Sequence, residues 1–299
     1  MKVLITGAAG QLGRAITGHL ATMRAEIGPI PAAYAGAQVD ACDADGLDIT
    51  DAAAVEAWFC ARGPYDVVFN CAAMTNVDGC EDHEAAARRV NADGPRNLAR
   101  AVDAHGGVLV QVSTDYVFPG TDPVPRVETD PTGPLSAYGR TKLAGELAVA
   151  QETARQFTVR TAWLYGDGHN FVRTMLGLGA THAEVSVVAD QLGNPTSADD
   201  LAYELLKLAL TEDFGTYHCT NEGTCSWADF AAAIMQEAGL ACRVVPVTSA
   251  QYQAMNPAAA HRPAYSSLEN ARLAATIGNE MRPWREALRS YLAKEGRLA

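Results

Sequence analysis

Tyr138 and Lys142 are the pair of side chains with the clearest capacity for chemistry. Their spacing places both on one face of a helix. A phenol with an ordinary pKa of about 10 serves as an acid or base near neutral pH only where a cation stabilises its phenolate. The pair therefore predicts a proton donor supported by an ammonium group. The alternative interpretation is an exposed helix pair without a role.

Three glycines, Gly7, Gly10 and Gly13, follow the first predicted strand in the pattern G-x-x-G-x-x-G. Glycine permits a tight turn and lets the backbone approach a pyrophosphate, and the helix that follows favours phosphate at its amino end. The pattern predicts dinucleotide binding at this turn. An ordinary glycine-rich turn is the alternative.

Hydroxyl and small side chains follow two later strands. Thr114 comes directly after the fifth predicted strand, and Ala72 and Ala73 follow the fourth. Ligands of a doubly wound sheet bind at the carboxyl ends of its parallel strands. Together with the glycine turn and the tyrosine–lysine pair, these segments predict a nicotinamide nucleotide site.

An acidic residue, Asp43, follows the second predicted strand, where a carboxylate meets the adenosine ribose in dinucleotide-binding sheets. Such a carboxylate favours NAD, and no arginine follows closely to bind the 2′-phosphate of NADP. Because a proline-containing insertion precedes this strand, an exposed loop acid is an equal alternative.

Composition and charge exclude several classes of partner. The chain has 299 residues, 48% of them hydrophobic, and a formal net charge of −12. Binding to nucleic acid or to an anionic membrane needs clustered lysine and arginine, so we expect neither partner. No stretch approaches the roughly 20 apolar residues of a membrane-spanning helix.

Cysteine and histidine usage gives no sign of a disulfide framework or a metal site. The seven cysteines are odd in number and contain no C-x-x-C pair, and the histidines show no ligand spacing such as H-E-x-x-H. We therefore expect reduced thiols and no structural zinc. The first seven residues lack the features of a secretory signal, which predicts a cytoplasmic protein.

Short apolar segments alternate with longer amphipathic ones, the pattern of βαβ units around a parallel sheet. The predicted strands of the first part are 2–6, 38–42, 47–49, 66–71, 108–113 and 158–162. The predicted helices are 11–23, 51–62, 84–105 and 135–152. We therefore predict an α/β fold whose residues 1–165 form a doubly wound, Rossmann-type parallel sheet.

After residue 165 the elements become shorter, which predicts a smaller α/β substrate-binding domain over 166–299, with some segments returning to the first sheet. Its predicted strands are 185–188, 216–219 and 243–245, and its predicted helices are 171–178, 198–210, 227–238 and 283–295. The segment 28–36 contains two prolines and predicts an irregular surface loop before the second strand.

Longer motifs extend the pattern over most of the chain. They lie at 7–13, 47–51, 70–78, 113–118, 138–146, 160–165, 190–196 and 262–263. The most specific are Ser-Thr-Asp-Tyr-Val-Phe and Asp-Gln-Leu-Gly-Asn-Pro-Thr. With these motifs the chain, from residue 1 to about 292, resembles the dTDP-4-dehydrorhamnose reductase family of the extended short-chain dehydrogenases/reductases.

The resemblance implies a role for each matching residue. In it, Tyr138 donates a proton, Lys142 holds the nicotinamide ribose and lowers the pKa of Tyr138, and Thr114 binds the substrate oxygen. The implied contacts of NADH or NADPH are Gly7, Gly10, Gln11, Leu12, Gly13, Asp43, Asp48, Ile49, Ala72, Ala73, Thr75, Tyr138 and Lys142. The implied substrate contacts are Thr114, Asp115, Tyr138, Trp163 and Arg262.

The reaction implied is reduction of the 4-keto group of a dTDP-4-keto-6-deoxy sugar, which converts dTDP-4-dehydro-L-rhamnose to dTDP-L-rhamnose. The resemblance implies a monomer or a homodimer. Some members place an acid after the third glycine, a position linked to metal-assisted dimerisation. Here Arg14 and Ala15 follow that glycine, so we expect no such metal.

Other functions remain open at this stage. Another nucleotide-sugar ketoreductase of secondary metabolism would share the nicotinamide motifs, because the second part of the chain selects the sugar. A dehydratase of the superfamily would place Asp-Glu after the threonine, whereas Tyr116 follows Asp115 here. A tightly bound, non-exchanging NAD would favour an epimerase. A non-catalytic regulatory NAD(P)-binding subunit would not need Thr114, Tyr138 and Lys142.

Overall fold

A computed structural model describes residues 1–299 as twelve strands and twelve helices. The strands are β1 (Lys2–Thr6), β2 (Gln38–Cys42), β3 (Val67–Asn70), β4 (Val108–Thr114), β5 (Gln156–Thr161), β6 (Leu164–Tyr165), β7 (Glu184–Val188), β8 (Leu192–Gly193), β9 (Thr196–Ser197), β10 (Gly215–His218), β11 (Cys225–Ser226) and β12 (Arg243–Val247).

The helices lie between these strands and after the last of them. They are α1 (Gln11–Thr22), α2 (Ala52–Arg62), α3 (Val77–Asp82), α4 (Glu84–Arg88), α5 (Gly94–His105), α6 (Ala137–Glu152), α7 (Phe171–Gly179), α8 (Ala198–Leu208), α9 (Trp227–Glu237), α10 (Ser249–Met255), α11 (Ala271–Thr276) and α12 (Trp284–Lys294). None of them combines the length and the apolar content that crossing a membrane requires.

Six parallel strands form the central sheet, in the order β10-β5-β4-β3-β1-β2. The last residues of β1 and β3, Thr6 and Asn70, lie side by side, and Asn70 pairs with Gln111 of β4, which continues three residues further. The chain first runs outward from β1 to β2 and then returns to β3 on the other side of β1. This order confirms the predicted doubly wound sheet and brings the carboxyl ends of β1, β3 and β4 together at the switch point, where such sheets bind ligands.

Apolar layers cover both faces of the central sheet. On one face α1 and α8 pack over a cluster that includes Val3, Ile16 and Leu205. On the other face α2 and α5 pack over a cluster that includes Leu4 and Phe59. Because successive residues of a strand point to opposite faces, the neighbours Val3 and Leu4 enter different layers.

A second core lies among α7, α9, α12 and the parallel pair β7-β12. Its buried residues lie between 165 and 292 and include Phe230, Trp284 and Leu288. Two segments from this later part of the chain join the first sheet instead. Strand β10 pairs with β5, and α8 packs in the core beside α1.

The short strand predicted at 47–49 does not form. The amide of Leu47 donates to the carbonyl oxygen of Asp43 at 2.9 Å, and the Asp48 carboxylate accepts from a backbone amide two residues on, also at 2.9 Å. These turns satisfy the backbone locally, so no ladder forms beside β2. Apolar and acidic residues alternate here because the side chains of Leu47 and Ile49 are buried in the core, and not because the segment is a strand.

The prediction of an irregular surface loop at 28–36 is wrong in part. Ala32–Tyr34 forms a 3₁₀ turn, and the side chains of Ile30 and Tyr34 are buried in the same core as α1. Proline and glycine correctly signalled turns in this segment. Proline and glycine do not indicate whether a segment is buried. Here burial follows from the apolar side chains of Ile30 and Tyr34.

The single helix predicted at 84–105 is interrupted by a π turn at Arg89–Asp93. This turn holds Asn91, whose side chain accepts from the Met74 amide at 2.8 Å and donates to the Met74 carbonyl oxygen at 3.1 Å. The same amide group donates to the Thr141 hydroxyl at 3.1 Å. The π turn therefore fastens the segment after β3 to helix α6, as such turns often do near functional sites.

Candidate active site

The turn between β1 and α1 has the shape that a phosphate requires. Gly7 has a φ of +65°, and a Cβ there would lie 2.6 Å from the backbone nitrogen of Ala72. A Cβ on Gly13 would lie 2.4 Å from the carbonyl oxygen of Gly7. Both positions therefore require glycine. Helix α1 begins after Gly10 with no side-chain cap and no acid in its first turn, which leaves its amino end suited to an anion.

A cleft of about 640 Å³ opens at the carboxyl ends of β1, β3 and β4, within the usual size range of a small-molecule site. It is lined by most of the predicted site residues, namely Gly10, Gln11, Leu12, Gly13, Ala72, Ala73, Thr75, Thr114, Asp115, Tyr138, Lys142, Trp163 and Arg262. A larger groove of about 1020 Å³ beside α1 and α12 contains only Gln11 from the predicted set. The chemistry therefore belongs to the first cleft.

Four predicted cofactor residues do not line this cleft. Gly7 shapes the turn from behind. Asp43 lies beside the turn, and its carboxylate oxygens accept from the amide of Ala9 at 3.1 and 3.2 Å. Asp48 is exposed and bonded within its own turn, and the Ile49 side chain is buried in the core. Contact between the last three residues and an adenosine stays a prediction.

Tyr138 lies in the first turn of α6, at the cleft. Ser136 caps this helix, because its hydroxyl accepts from the amide of Gly139 at 3.1 Å. The Tyr138 ring meets the Tyr116 ring edge-on, with centroids 5.8 Å apart. The cap and the ring contact together fix where the phenol lies.

The phenol of Tyr138 is held in its protonated form. Burial raises its pKa above the ordinary value, and the neighbouring Thr114 hydroxyl acts in the opposite direction. The Lys142 ammonium donates to the carbonyl oxygen of Val112 at 2.6 Å, and its lowering of the Tyr138 pKa stays a prediction. A phenol that stays protonated at neutral pH is suited to donate a proton.

Lys142 is buried one helical turn after Tyr138. Burial lowers its pKa to about 8, while the nearby Glu146 carboxylate and Cys71 thiol act in the opposite direction. Its ammonium is therefore charged at neutral pH but loses its proton in mildly alkaline solution.

A buried ion pair supports the strand end that carries Thr114. Arg160 on β5 binds the Glu146 carboxylate of α6 through Nε at 3.0 Å and Nη2 at 2.7 Å, and each side chain is 7% exposed. The Ser113 hydroxyl on β4 donates to the same carboxylate. These bonds join β4, β5 and α6 one helical turn beyond Lys142, and a charge pair so deeply buried depends on keeping both partners.

Several buried polar atoms around the cleft lack a partner in the protein. Asp115 Oδ1 accepts from the Thr114 hydroxyl at 2.9 Å, whereas Oδ2 has no partner within hydrogen-bond distance. Burial raises the pKa of this carboxyl to about 6, and the nearby Ser266 and Thr114 hydroxyls act in the opposite direction. Gln11 Oε1 and Thr161 Oγ1 are also unpartnered, and both residues line the cleft. Buried polar atoms rarely remain unbonded, so these three indicate a polar ligand.

Two stacked indole rings form one wall of the cleft. Trp163 has a φ of +46°, a left-handed conformation that residues other than glycine seldom adopt. Its ring lies 3.6 Å from that of Trp227 at an interplanar angle of 8°. A Cβ on Gly193 would lie 2.6 Å from the same indole, so the backbone there packs closely against it. The Trp163 ring is therefore held in one place.

Arg262 brings a positive charge to the cleft. Its Nη2 donates to the two carboxylate oxygens of Asp78 at 3.0 and 3.2 Å, and Asp78 also accepts from the amide of Ala260 at 2.8 Å. The guanidinium lies close enough to the Tyr116 phenol to influence its pKa. Asp78 thus positions Arg262 where a negatively charged ligand can reach it.

Residues 1–296 match a family model described as the RmlD substrate binding domain. The chain belongs to this family. A dTDP-4-dehydrorhamnose reductase of Mycobacterium tuberculosis is 43% identical over 300 residues, covering 98% of this chain and 92% of that protein. A probable dTDP-4,6-dihydroxy-2-methyloxan-3-one 4-ketoreductase of Streptomyces antibioticus is 41% identical over 296 residues, covering 97% of this chain and 94% of that protein.

Solved structures of the RmlD family share the whole fold. A dTDP-4-dehydrorhamnose reductase of Clostridium acetobutylicum is 45% identical with a TM-score of 0.91, covering 99% of this chain and 100% of that one. The dTDP-4-dehydrorhamnose reductase of Bacillus anthracis in complex with NADP is 37% identical with a TM-score of 0.89, covering 98% and 99%. The resemblance inferred from the motifs is confirmed.

Trp227 is a cleft residue that no motif predicts. The sequence shows only that a helix begins there, since Ser226 and Asp229 form the capping box of α9. Its contact with Trp163 depends on tertiary packing, because both rings pack against the second core from separate elements. The supporting role of the Glu146 carboxylate for Ser113 was missed for the same reason, although both residues fall within motifs.

Proposed function

We propose that this RmlD-family chain reduces the 4-keto group of a dTDP-4-keto-6-deoxy sugar with NADPH or NADH, and that it converts dTDP-4-dehydro-L-rhamnose to dTDP-L-rhamnose. The observation that carries this function is the placement of the Tyr138 phenol and the Thr114 hydroxyl in one cleft with the glycine turn of α1. The substrate class is supported by the relatives that bear the reductase name.

Residues 1–165 supply most of the dinucleotide site in this proposal, and 166–299 supply most of the contacts that select the sugar. The amino end of α1, with Gly10, Gln11 and Leu12, would hold the pyrophosphate, whose charge the helix dipole favours. The small side chains of Ala72 and Ala73 leave room for a nicotinamide nucleotide along the cleft. Bound NAD(P)H supplies the hydride that reduces the carbonyl carbon.

Tyr138 donates its phenolic proton to the oxygen of the sugar carbonyl as negative charge develops there. The Thr114 hydroxyl turns its proton from Asp115 to the same oxygen when the substrate binds, and Lys142 holds the nicotinamide ribose and places a positive charge near the phenol. Asp115 offers an unpartnered carboxylate oxygen to a sugar hydroxyl, and the Trp163 ring bounds the space that the sugar occupies.

The substrate is anionic, whereas the chain carries a net charge of −12. Local groups must therefore outweigh the overall sign. The amino end of α1 and the Arg262 guanidinium, which Asp78 holds at the cleft, are the groups suited to the two diphosphates.

One experiment tests the function. The chain is incubated with dTDP-4-keto-6-deoxyglucose, with and without a 3,5-epimerase, using NADH and NADPH in turn, and the product sugar is identified. We expect dTDP-L-rhamnose only when the epimerase is present. Turnover without the epimerase would favour another nucleotide-sugar ketoreductase. The Streptomyces antibioticus relative carries a name of that kind. Absence of turnover with every keto sugar would favour a regulatory subunit.

The pH dependence of the reaction reports on Lys142. We expect kcat/KM for keto-sugar reduction to fall as the pH rises through about 8, because the ammonium loses its proton and its positive charge there. In Lys142→Arg the charge persists at all accessible pH values, so this alkaline fall should disappear even if the rate at neutral pH is lower. An identical alkaline limb in both proteins would assign the titration to another group.

Trp227 is expected to position Trp163 for the sugar. Aromatic pairs contribute about 0.5–1.5 kcal/mol beyond burial, so Trp227→Leu should raise KM for the sugar nucleotide by roughly 2-fold to 12-fold. The dissociation constant of NADPH should not change, because the glycine turn lies elsewhere in the cleft. Phe171→Leu, which keeps the indole pair intact, is the matched control. An equal change in NADPH affinity would indicate general damage to the fold.

We further propose that the chain works in the cytoplasm, as a monomer or a homodimer. All seven cysteines are free, which suits a reducing compartment. Sedimentation of the purified chain across a range of concentrations distinguishes the two assembly states, and a larger oligomer would exclude both.

A further inference from the structure

A second cluster of reactive side chains lies outside the cleft, on helices α2 and α5. Glu56 and Cys60 are four residues apart on α2, and His105 is the last residue of α5. One carboxylate oxygen, one sulfur and one ring nitrogen from these residues all lie within 4.8 Å of one another. The three groups are of the types that bind transition metals.

The separations fit a tetrahedral ion. Cys60 Sγ lies 3.4 Å from Glu56 Oε1, and His105 Nε2 lies 3.8 Å from the same oxygen. With zinc bonds of about 2.0–2.3 Å, neighbouring ligands of a tetrahedral ion are roughly 3.3–3.8 Å apart. The two separations from Glu56 Oε1 fall in this range, and Cys60 Sγ and His105 Nε2, which lie within 4.8 Å of each other, must come to a similar separation for one ion to bind all three groups.

The helices that carry these ligands are held firmly together. Phe59, next to Cys60 in the chain, is 1% exposed, and its ring packs on the His105 imidazole with centroids 5.6 Å apart. Val55 on α2 and Val102 on α5 share the same core. Cys60 is itself the one exposed cysteine of the chain. The thiol is therefore accessible to an ion while the backbone beneath it is fixed.

We propose that Glu56, Cys60 and His105 bind Zn²⁺ and link α2 to α5, with water in the fourth position. The thiol proton passes to solvent as the zinc–sulfur bond forms, and no oxidation accompanies it. Mg²⁺ and Ca²⁺ prefer oxygen ligands, so a sulfur and a nitrogen favour zinc over both. The sequence concealed this site, because the third ligand lies on a different helix from the other two.

The site acts on stability and is independent of the proposed reaction. Helices α2 and α5 end where the chain enters β3 and β4, at the edge of the sheet opposite the cleft. Zinc that binds only the folded chain stabilises it by mass action. At a free Zn²⁺ concentration about 100 times the Kd, the expected rise in Tm is about 5 °C, and MgCl₂ should produce none.

The test uses the full chain after treatment with a chelator. Zn²⁺ affinity is measured by competition with a chromophoric chelator, and Tm is measured with and without ZnCl₂. We expect one ion per chain. Cys60→Ser and His105→Gln should each weaken Zn²⁺ binding by more than about 100-fold, which exceeds the 10–100-fold loss typical when a residue that only hydrogen-bonds to a metal ligand is replaced. Because Cys60 is exposed, the Tm of Cys60→Ser without metal should stay near that of the parent, whereas His105→Gln also loses the packing of the imidazole on Phe59.

His182→Gln removes an exposed histidine beyond α7 and is the matched control, which should bind zinc as the parent does. Co²⁺ offers a second readout, since a thiolate ligand gives a charge-transfer band that should be present in the parent and missing in Cys60→Ser. Zinc binding of equal strength in the parent and in both ligand variants would show an adventitious ion only. That result, or a Tm that zinc does not raise, would overturn the proposal.

Discussion

Tyr138→Phe is expected to lower kcat for keto-sugar reduction by about 10²–10⁴-fold, the range that positioned proton transfer supplies. The substitution removes only the hydroxyl, so the ring keeps its edge-on contact with Tyr116 at 5.8 Å. The glycine turn and Lys142 are unchanged, and NADPH should still bind. Turnover is followed by oxidation of NADPH, and binding is followed by quenching of protein fluorescence.

Tyr116→Phe is the matched control for that variant. It removes a second buried phenol from the same cleft, one that lies near Arg262 rather than at the capped start of α6. We expect this protein to keep most of its turnover. Near-normal turnover in Tyr138→Phe, or equal losses of turnover in the two variants, would contradict the assignment of Tyr138 as the proton donor.

Arg160→Met is expected to have the largest effect on stability. It leaves the Glu146 carboxylate buried without its cation, and breaking a buried ion pair in this way typically costs about 3–5 kcal/mol. The expected loss in Tm is about 5–8 °C. Urea unfolding followed by circular dichroism measures the change in the free energy of unfolding.

The double variant Arg160→Met with Glu146→Leu separates pairing from packing. When both groups of the pair become apolar, no unpaired carboxylate stays buried, so much of the lost stability should return, less what the nearby Lys142 ammonium loses with the Glu146 carboxylate. Its activity should remain low if the carboxylate is needed to hold Ser113 beside Thr114. A double variant as unstable as Arg160→Met alone would show that shape, and not charge, makes the pair important.

The central sheet could be predicted because its strands carry a strong local signal. Every residue of β3 is buried, and such continuous apolar segments between glycine and asparagine boundaries mark interior parallel strands. The strand predicted at 47–49 was wrong because its local signal was ambiguous. Leu47 and Ile49 are spaced as in a strand, but they are buried through contacts with residues distant in the sequence. At 28–36 the turn residues were informative, whereas the burial of Tyr34 depended on the distant helix α8.

The residues of the candidate site also fall into those that the sequence could predict and those that only tertiary packing brings together. Tyr138 and Lys142 were recognisable because a spacing of four residues specifies their relation within one helix. The pairing of Arg160 with Glu146 and of Trp163 with Trp227 joins residues on separate elements, so it follows from tertiary packing alone. The pKa of Tyr138 also depends on burial, which the spacing of the pair does not reveal.

Strand β10 has a consequence for how the molecule is made. Because β10 completes the sheet beside β5, a ribosome-bound chain that has emerged only as far as residue 161 presents β5 as an unpaired edge. Unpaired edges of this kind recruit other chains, and long-range parallel pairing forms slowly. The nascent protein therefore passes through an aggregation-prone interval that ends only when residue 218 has emerged from the ribosome and β10 has paired with β5.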